Sequence, residues 1–125
     1  MSKKILFGVF ALASVLVLLL AIAGCASPGL KDGEVLDNAT CAKLDKVIVI
    51  HEAGCSACAA ALPRLHELEQ ELNTSFRYYD IAVDKDKKEL LSMNLVPTAV
   101  PILIVNCKVY LGAKSKEEFK RIIIS

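Results

Sequence analysis

The hydrophobic and polar positions of this 125-residue chain separate one long apolar run from a series of shorter segments. Residues 5 to 24 contain no charged side chain. Residues 46 to 50, "KVIVI", are rich in β-branched apolar side chains, which is typical of a buried central strand. In residues 76 to 83, "FRYYDIAV", apolar and polar positions alternate and aromatic side chains are frequent, which predicts a second strand.

Periodic spacing predicts three helices. The first covers residues 55 to 72, because leucines recur at helical spacing on one face and glutamates occupy the other. A short charged helix is predicted over residues 84 to about 93. The last helix starts after Ser115, which can cap it, and Glu118 completes a capping box three residues later. Its apolar face consists of Phe119, Ile122 and Ile123.

A hairpin is predicted before the last helix. Residues 102 to 105 and 108 to 111 form its strands, and Asn106 and Cys107 occupy a two-residue turn. Because cysteine stands where glycine is usual, the turn type stays open. The predicted order is therefore strand, helix, strand, helix, strand, strand, helix, which indicates an α/β fold.

The apolar run also explains a hydrophobic content of 54%, which is high for a soluble domain. About twenty apolar residues can cross a bilayer as a helix. Lys3 and Lys4 supply a basic segment before the run, as in targeting segments, and are expected to stay on the cytoplasmic side. The sequence thus predicts a signal peptide or membrane anchor over residues 1–24 and an extracytoplasmic domain tethered to the membrane.

The end of the run, Ile22-Ala23-Gly24-Cys25, resembles the lipobox of secreted lipoproteins. This resemblance implies that Cys25 is lipidated and becomes the mature N-terminus, and an uncleaved transmembrane helix is the alternative. Residues 25–40 mix Gly, Pro, Asp and Asn without periodicity, which predicts a flexible linker before a domain over residues 41–125. Beyond residue 24 the chain has 13 basic and 14 acidic side chains, and no basic stripe indicates nucleic-acid binding.

Two cysteines, in Cys55-Ser56-Ala57-Cys58, lie at the predicted start of the first helix. A thiol with a pKa of about 8.5 is mostly protonated at neutral pH, and a helix N-terminus stabilises the thiolate. We therefore expect Cys55 to be the nucleophile and Cys58, one turn further, the resolving thiol. One such pair lacks the four ligands of a structural zinc site, and no cofactor is expected. Copper binding by the two thiolates with His51 is an alternative, and so is a redox-silent interaction domain.

Together these features resemble the thioredoxins and glutaredoxins, whose active-site C-x-x-C also follows the first strand and opens the first helix. Pro63 stands where this family has a helix-kinking proline. Val100-Pro101, immediately before the third strand, resembles the family's cis-proline, and Pro97 is the alternative. The resemblance spans roughly residues 44 to 124. It implies a thioredoxin-like three-layer fold with a central four-stranded mixed sheet and flanking helices.

The resemblance also implies the activity, which is thiol-disulfide exchange with protein clients and with a membrane or extracytoplasmic redox partner. The backbone of Val100, beside Pro101, is then expected to bind an extended client segment. Whether the protein reduces, oxidises or isomerises its clients stays open.

The sequence departs from the family pattern at two positions. Gly54 replaces the tryptophan that precedes the first active cysteine, and Val49 replaces a buried aspartate that helps to deprotonate the second. One interpretation is that His51 and Glu52 carry protons in place of that aspartate. The alternative is that His51 simply ends the first strand and Glu52 is a solvated surface residue.

Cys41 and Cys107 are the two cysteines to which no role has yet been assigned. In the topology that the resemblance implies, the third strand runs antiparallel beside the first, so the residue that leads into the first strand approaches the residue that ends the third. We therefore expect a structural disulfide between Cys41 and Cys107, as suits a small domain in an oxidising compartment.

Overall fold

Four helices and four strands lie within residues 29 to 125, the part of the chain that the computed structural model describes. The predicted signal or anchor segment, residues 1–24, and the lipidation candidate Cys25 lie outside the described residues. Within residues 29 to 125, no helix has the length and apolar character needed to cross a bilayer. The elements in chain order are α1 (Asn38–Cys41), β1 (Val47–His51), α2 (Ser56–Glu71), β2 (Arg77–Asp80), α3 (Asp84–Ser92), β3 (Ile102–Val105), β4 (Lys108–Leu111) and α4 (Lys116–Ile124).

The four strands form one mixed sheet in the order β2-β1-β3-β4. β1 pairs in parallel with β2 and antiparallel with β3, and β3 pairs antiparallel with β4. β1 and β3 are therefore the two central strands. This sheet, with helices on both of its faces, is the α/β arrangement that the resemblance to thioredoxins and glutaredoxins implies.

Each face of the sheet has its own apolar core. On one face, Val49 packs with Leu65 of α2 and Phe119 of α4. On the other face, Ile48 packs with Leu90 of α3. Since both faces of β1 and β3 are covered, these strands read as continuous apolar runs without alternation.

The strand β2 is shorter than predicted. The alternating pattern predicts a strand over residues 76 to 83, whereas β2 covers Arg77–Asp80. The carboxylate of Asp80 accepts a hydrogen bond from the Ala82 N–H at 2.9 Å. This local bond turns the backbone and ends the strand, as Asp side chains often do.

α2 and α3 begin and end within a residue of their predicted positions, whereas α1 was not predicted. α2 covers Ser56–Glu71, with Cys55 as its N-cap, and α3 covers Asp84–Ser92. At the start of α4, the Ser115 hydroxyl accepts a hydrogen bond from the Glu118 N–H at 3.2 Å, the capping contact predicted from the sequence.

The turn between β3 and β4 has both central residues in the left-handed region, with φ of 49° at Asn106 and 69° at Cys107. Positive φ at both positions is the mark of a type I′ turn, which matches the right-handed twist of a hairpin. The turn type left open by the sequence is thereby identified.

Residues 30 to 36, which we call the strap, pair with the outer edge of β4. The Gly33 N–H donates to the Val109 carbonyl at 2.8 Å, and the Val109 N–H donates to the Glu34 carbonyl at 2.9 Å. Over residues 30 to 36 this pairing differs from the flexible linker predicted for residues 25–40. The edge of a sheet presents unpaired N–H and C=O groups, and a segment without hydrophobic periodicity can satisfy them through its backbone.

Candidate thiol-disulfide site

Cys55 occupies the N-cap of α2, where its backbone is extended, with φ −81° and ψ 117°. Its Sγ accepts a hydrogen bond from the Cys58 N–H at 3.1 Å. The sulfur thus takes the place that a serine or aspartate oxygen takes in ordinary caps. Cys55 is half-buried, and the Cys58 N–H, one of the helix N-terminal groups that lack a partner within the helix, is directed toward its sulfur.

Cys58 lies one turn further along α2 and is only 1% exposed. Burial, and then the hydrogen bond with the Cys55 side chain, raises the pKa of Cys58 from 9.0 to about 11. At neutral pH its sulfur is therefore a thiol. The structure gives the two cysteines different environments, one sulfur within reach of solvent and one shielded from it.

The loop of residues 96 to 101, which we call the proline loop, lies beside the dithiol. It contains a cis peptide bond at Val100–Pro101, whereas the bond before Pro97 is not cis. The Cys55 thiol donates to the Val100 carbonyl at 3.8 Å. The structure thus brings Cys55, Cys58, Val100 and Pro101 together at one end of β1.

The two departures from the family pattern have visible structural settings. Gly54 has a φ of 87°, in the left-handed region, where a tryptophan would be strained. Val49 is 1% exposed and belongs to the apolar core between the sheet and α2. In the part of the chain described, no polar or charged side chain is buried, so no buried carboxylate accompanies Cys58.

The two alternative proton carriers, His51 and Glu52, lie in different settings. A hydrogen bond with the Glu52 backbone lowers the pKa of Cys58, the negative charge of Glu52 raises it to a smaller extent, and the Glu52 side chain is exposed. His51 ends β1 and stacks edge-on against Tyr78, with ring centroids 6.2 Å apart. Between residues 29 and 125, no three His, Cys, Asp or Glu side chains are placed to hold a metal ion.

Cys41 and Cys107 are joined by a disulfide, with their Cα atoms 5.5 Å apart. The bond connects the end of α1 to the β3–β4 turn. In the register of the sheet, Val47 at the start of β1 pairs with Val105 at the end of β3. The disulfide therefore lies at the end of the sheet opposite the dithiol.

Asp80 is a residue near the site that the sequence analysis missed. It pairs with His51 in the parallel register of β1 and β2, and its carboxylate accepts a hydrogen bond from the Ala53 N–H at 3.4 Å. Asp80 therefore helps to hold the segment that leads into Cys55. No sequence signal marked Asp80, because the predicted strand continued to residue 83 and placed this residue in its interior.

In comparisons with known proteins, no protein-family model matches the sequence and no curated protein matches it. Solved structures similar to it include a thioredoxin of Fasciola hepatica, at 20% identity and a TM-score of 0.47, covering 62% of this chain and 76% of the thioredoxin. Another is the glutaredoxin Grx-1 of Archaeoglobus fulgidus, at 18% identity and a TM-score of 0.45, covering 72% of this chain and 98% of the glutaredoxin. At such values neither match assigns an activity to this chain.

Proposed function

We propose that this chain is a thiol-disulfide oxidoreductase that exchanges disulfides with protein clients through Cys55 and Cys58. One observation carries the proposal, which is the asymmetry of the two sulfurs. Cys55 lies half-buried at a helix N-cap and accepts a backbone hydrogen bond, whereas Cys58 is buried with a pKa raised to about 11. An accessible nucleophile next to a shielded resolving thiol is the pairing that sequential exchange requires.

In the first step, the Cys55 thiolate attacks one sulfur of a client disulfide. A bond forms between Cys55 and that sulfur, the client's own S–S bond breaks, and the other client sulfur leaves as a thiolate that takes up a proton. The Cys58 N–H, 3.1 Å from the Cys55 sulfur, stabilises the attacking anion.

In the second step, Cys58 loses its proton and its sulfur attacks the Cys55 sulfur. The mixed disulfide breaks, and the second client sulfur leaves as a thiolate. The client has gained two electrons and the protein has lost two, as a Cys55–Cys58 disulfide. A dithiol reductant restores the protein, and a dithiol client drives the same steps in reverse. The proton that Cys58 releases is taken up by the leaving client thiolate.

The proline loop supplies the client-binding surface in this proposal. The Val100 carbonyl lies 3.8 Å from the Cys55 sulfur, so an extended client segment that pairs with the Val100 backbone has its own sulfur close to Cys55. Backbone pairing of this kind depends little on client side chains. It suits a protein that acts on several different disulfides.

The membrane-tethered, extracytoplasmic location is part of the same proposal. It is supported by the apolar run over residues 5 to 24, the lipobox-like end at Cys25, and the disulfide between Cys41 and Cys107. Disulfides persist in oxidising compartments. The mass of the mature protein from a membrane fraction tests the anchor, since lipid on Cys25 and an intact residue 1 are mutually exclusive results.

Insulin reduction by a dithiol reductant tests the activity. We expect the wild-type protein to accelerate it and Cys55→Ser to abolish the acceleration. Cys58→Ser is the matched control, because it keeps the nucleophile and is expected to accumulate a mixed disulfide with insulin that Cys55→Ser does not form. A wild-type protein without activity, or a Cys55→Ser variant with full activity, would overturn the proposal, and the first result would favour a redox-silent interaction domain.

A further inference from the structure

The strap connects a distant part of the chain to the proline loop. Leu30, the first residue of the strap, is 3% exposed and packs in the core on the α3 side of the sheet. Its N–H donates to the Val96 carbonyl at 2.9 Å. Its carbonyl accepts a hydrogen bond from the Thr98 hydroxyl at 2.6 Å, across 68 positions of sequence.

The proline loop is thereby held on both sides of Val100. The strap fixes its first half at Val96 and Thr98, and the Gly112 N–H donates to the Pro101 carbonyl at 2.9 Å. Ala99 and Val100 lie between these attachments. Val100 is the residue whose carbonyl approaches the Cys55 sulfur.

The strap is itself secured at two further points. The Leu111 N–H of β4 donates to the Asp32 carboxylate at 2.9 Å. Beyond the strap, the chain passes through α1 to Cys41, which is bonded to Cys107. The contact between the strap and the proline loop is therefore supported by sheet pairing, a side-chain hydrogen bond and a covalent bond.

We infer that the strap positions the client-binding backbone, with Leu30 and Thr98 as its positioning residues. The inference rests on the proposed function. A backbone surface binds an extended segment well only if it is already held in the binding conformation, because a mobile loop loses conformational freedom on binding. The Thr98–Leu30 hydrogen bond restricts the first half of the proline loop, which ends two residues before Val100.

A positioning role of the strap affects the reaction of Cys55 with protein clients but not its reaction with small reagents. A protein client needs both the Cys55 sulfur and the backbone of the proline loop, whereas a small alkylating reagent such as iodoacetamide needs the sulfur alone. Loss of the strap contact is therefore expected to raise KM for a protein client while the alkylation rate of Cys55 stays the same. A general loss of structure would change both.

The test compares Thr98→Val, which removes the hydroxyl at nearly constant shape, with Thr98→Ser, which keeps it. We expect Thr98→Val to lower kcat/KM for insulin about fivefold, mainly through KM, and to speed amide exchange at Leu30, whose N–H is bonded to the Val96 carbonyl. Thr98→Ser is expected to restore both values. Ser92→Ala is the matched control, since the Ser92 hydroxyl also donates to a carbonyl at 2.6 Å, that of Glu89, away from the loop.

The outcomes are distinguishable. An active wild-type protein whose Thr98→Val variant keeps its kcat/KM would overturn the inference and leave the proposed function intact. Equal losses in insulin reduction and Cys55 alkylation would also overturn it, because they indicate a general structural effect. A wild-type protein without insulin reduction would overturn the proposed function and the inference together.

Discussion

Removal of the disulfide between Cys41 and Cys107 is expected to cause a large loss of stability. The bond joins residues separated by 66 positions. Cross-linking a loop of that length removes chain entropy from the unfolded state worth about 4 kcal/mol at 25 °C in the loop-closure model, and measured losses in small domains are about 2 to 5 kcal/mol. We expect Cys41→Ser/Cys107→Ser to lower the free energy of unfolding by about 3 to 4 kcal/mol.

The backbone at Cys107 allows this effect to be separated from a local one. Cys107 has a φ of 69°, which glycine adopts more easily than serine. Cys41→Ser/Cys107→Gly loses the same cross-link but relieves the turn. It is therefore expected to be more stable than Cys41→Ser/Cys107→Ser by about 0.5 to 1 kcal/mol.

Urea unfolding followed by circular dichroism measures both differences, because its linear extrapolation yields the free energy of unfolding. The variants are best compared in a Cys55→Ala/Cys58→Ala background, where the dithiol cannot exchange with the disulfide. If removal of the cross-link changed the free energy of unfolding by less than about 1 kcal/mol, the loop-entropy reasoning would be refuted. If the serine and glycine variants were equally stable, the account of the turn would be refuted.

Three further predictions concern single side chains. Because the pKa of Cys58 is raised in the folded state, its contribution to stability is complete below about pH 9 and is lost as the pH rises to about 11. We expect the free energy of unfolding to fall by about 2 to 3 kcal/mol over this range. Unfolding curves of Cys58→Ala should lack this loss. Tyr78→Phe removes the hydroxyl bonded to Glu69 and should lower the free energy of unfolding by about 1 to 3 kcal/mol; no change would show that this bond contributes nothing. Ser115→Ala leaves the Glu118 N–H without its cap and should cost about 1 kcal/mol in the same assay, with Ser115→Asp as the variant expected to retain stability.

The central part of the fold could be predicted from the sequence because its signals are local. Continuous apolar runs predicted β1 and β3, and leucine spacing predicted α2. The end of β2 was misplaced because Asp80 bonds to a backbone N–H two residues on, which a hydrophobic pattern does not record.

The contacts of the strap were not predictable in the same way. They join backbone groups of residues 30 to 36 to β4, and one of them spans 68 positions between Leu30 and Thr98. Backbone groups are the same in every residue type, so composition indicates only that the segment is polar and rich in turn formers. The dithiol was recognisable from its spacing, and the position of Cys58 one turn inside the helix predicted that it is the more shielded cysteine. The extent of its burial depends on the packing of α2 against the sheet.

The placement of the two sulfur pairs at opposite ends of β1 keeps their chemistry apart. A strand of five residues spans about 16 Å, far more than the contact distance that sulfur needs to attack sulfur. Within one molecule, Cys55 therefore cannot scramble the bond that fastens Cys41 to Cys107. The structural disulfide is therefore separated from the exchanging dithiol, and repeated catalytic turnover leaves the structural disulfide unchanged.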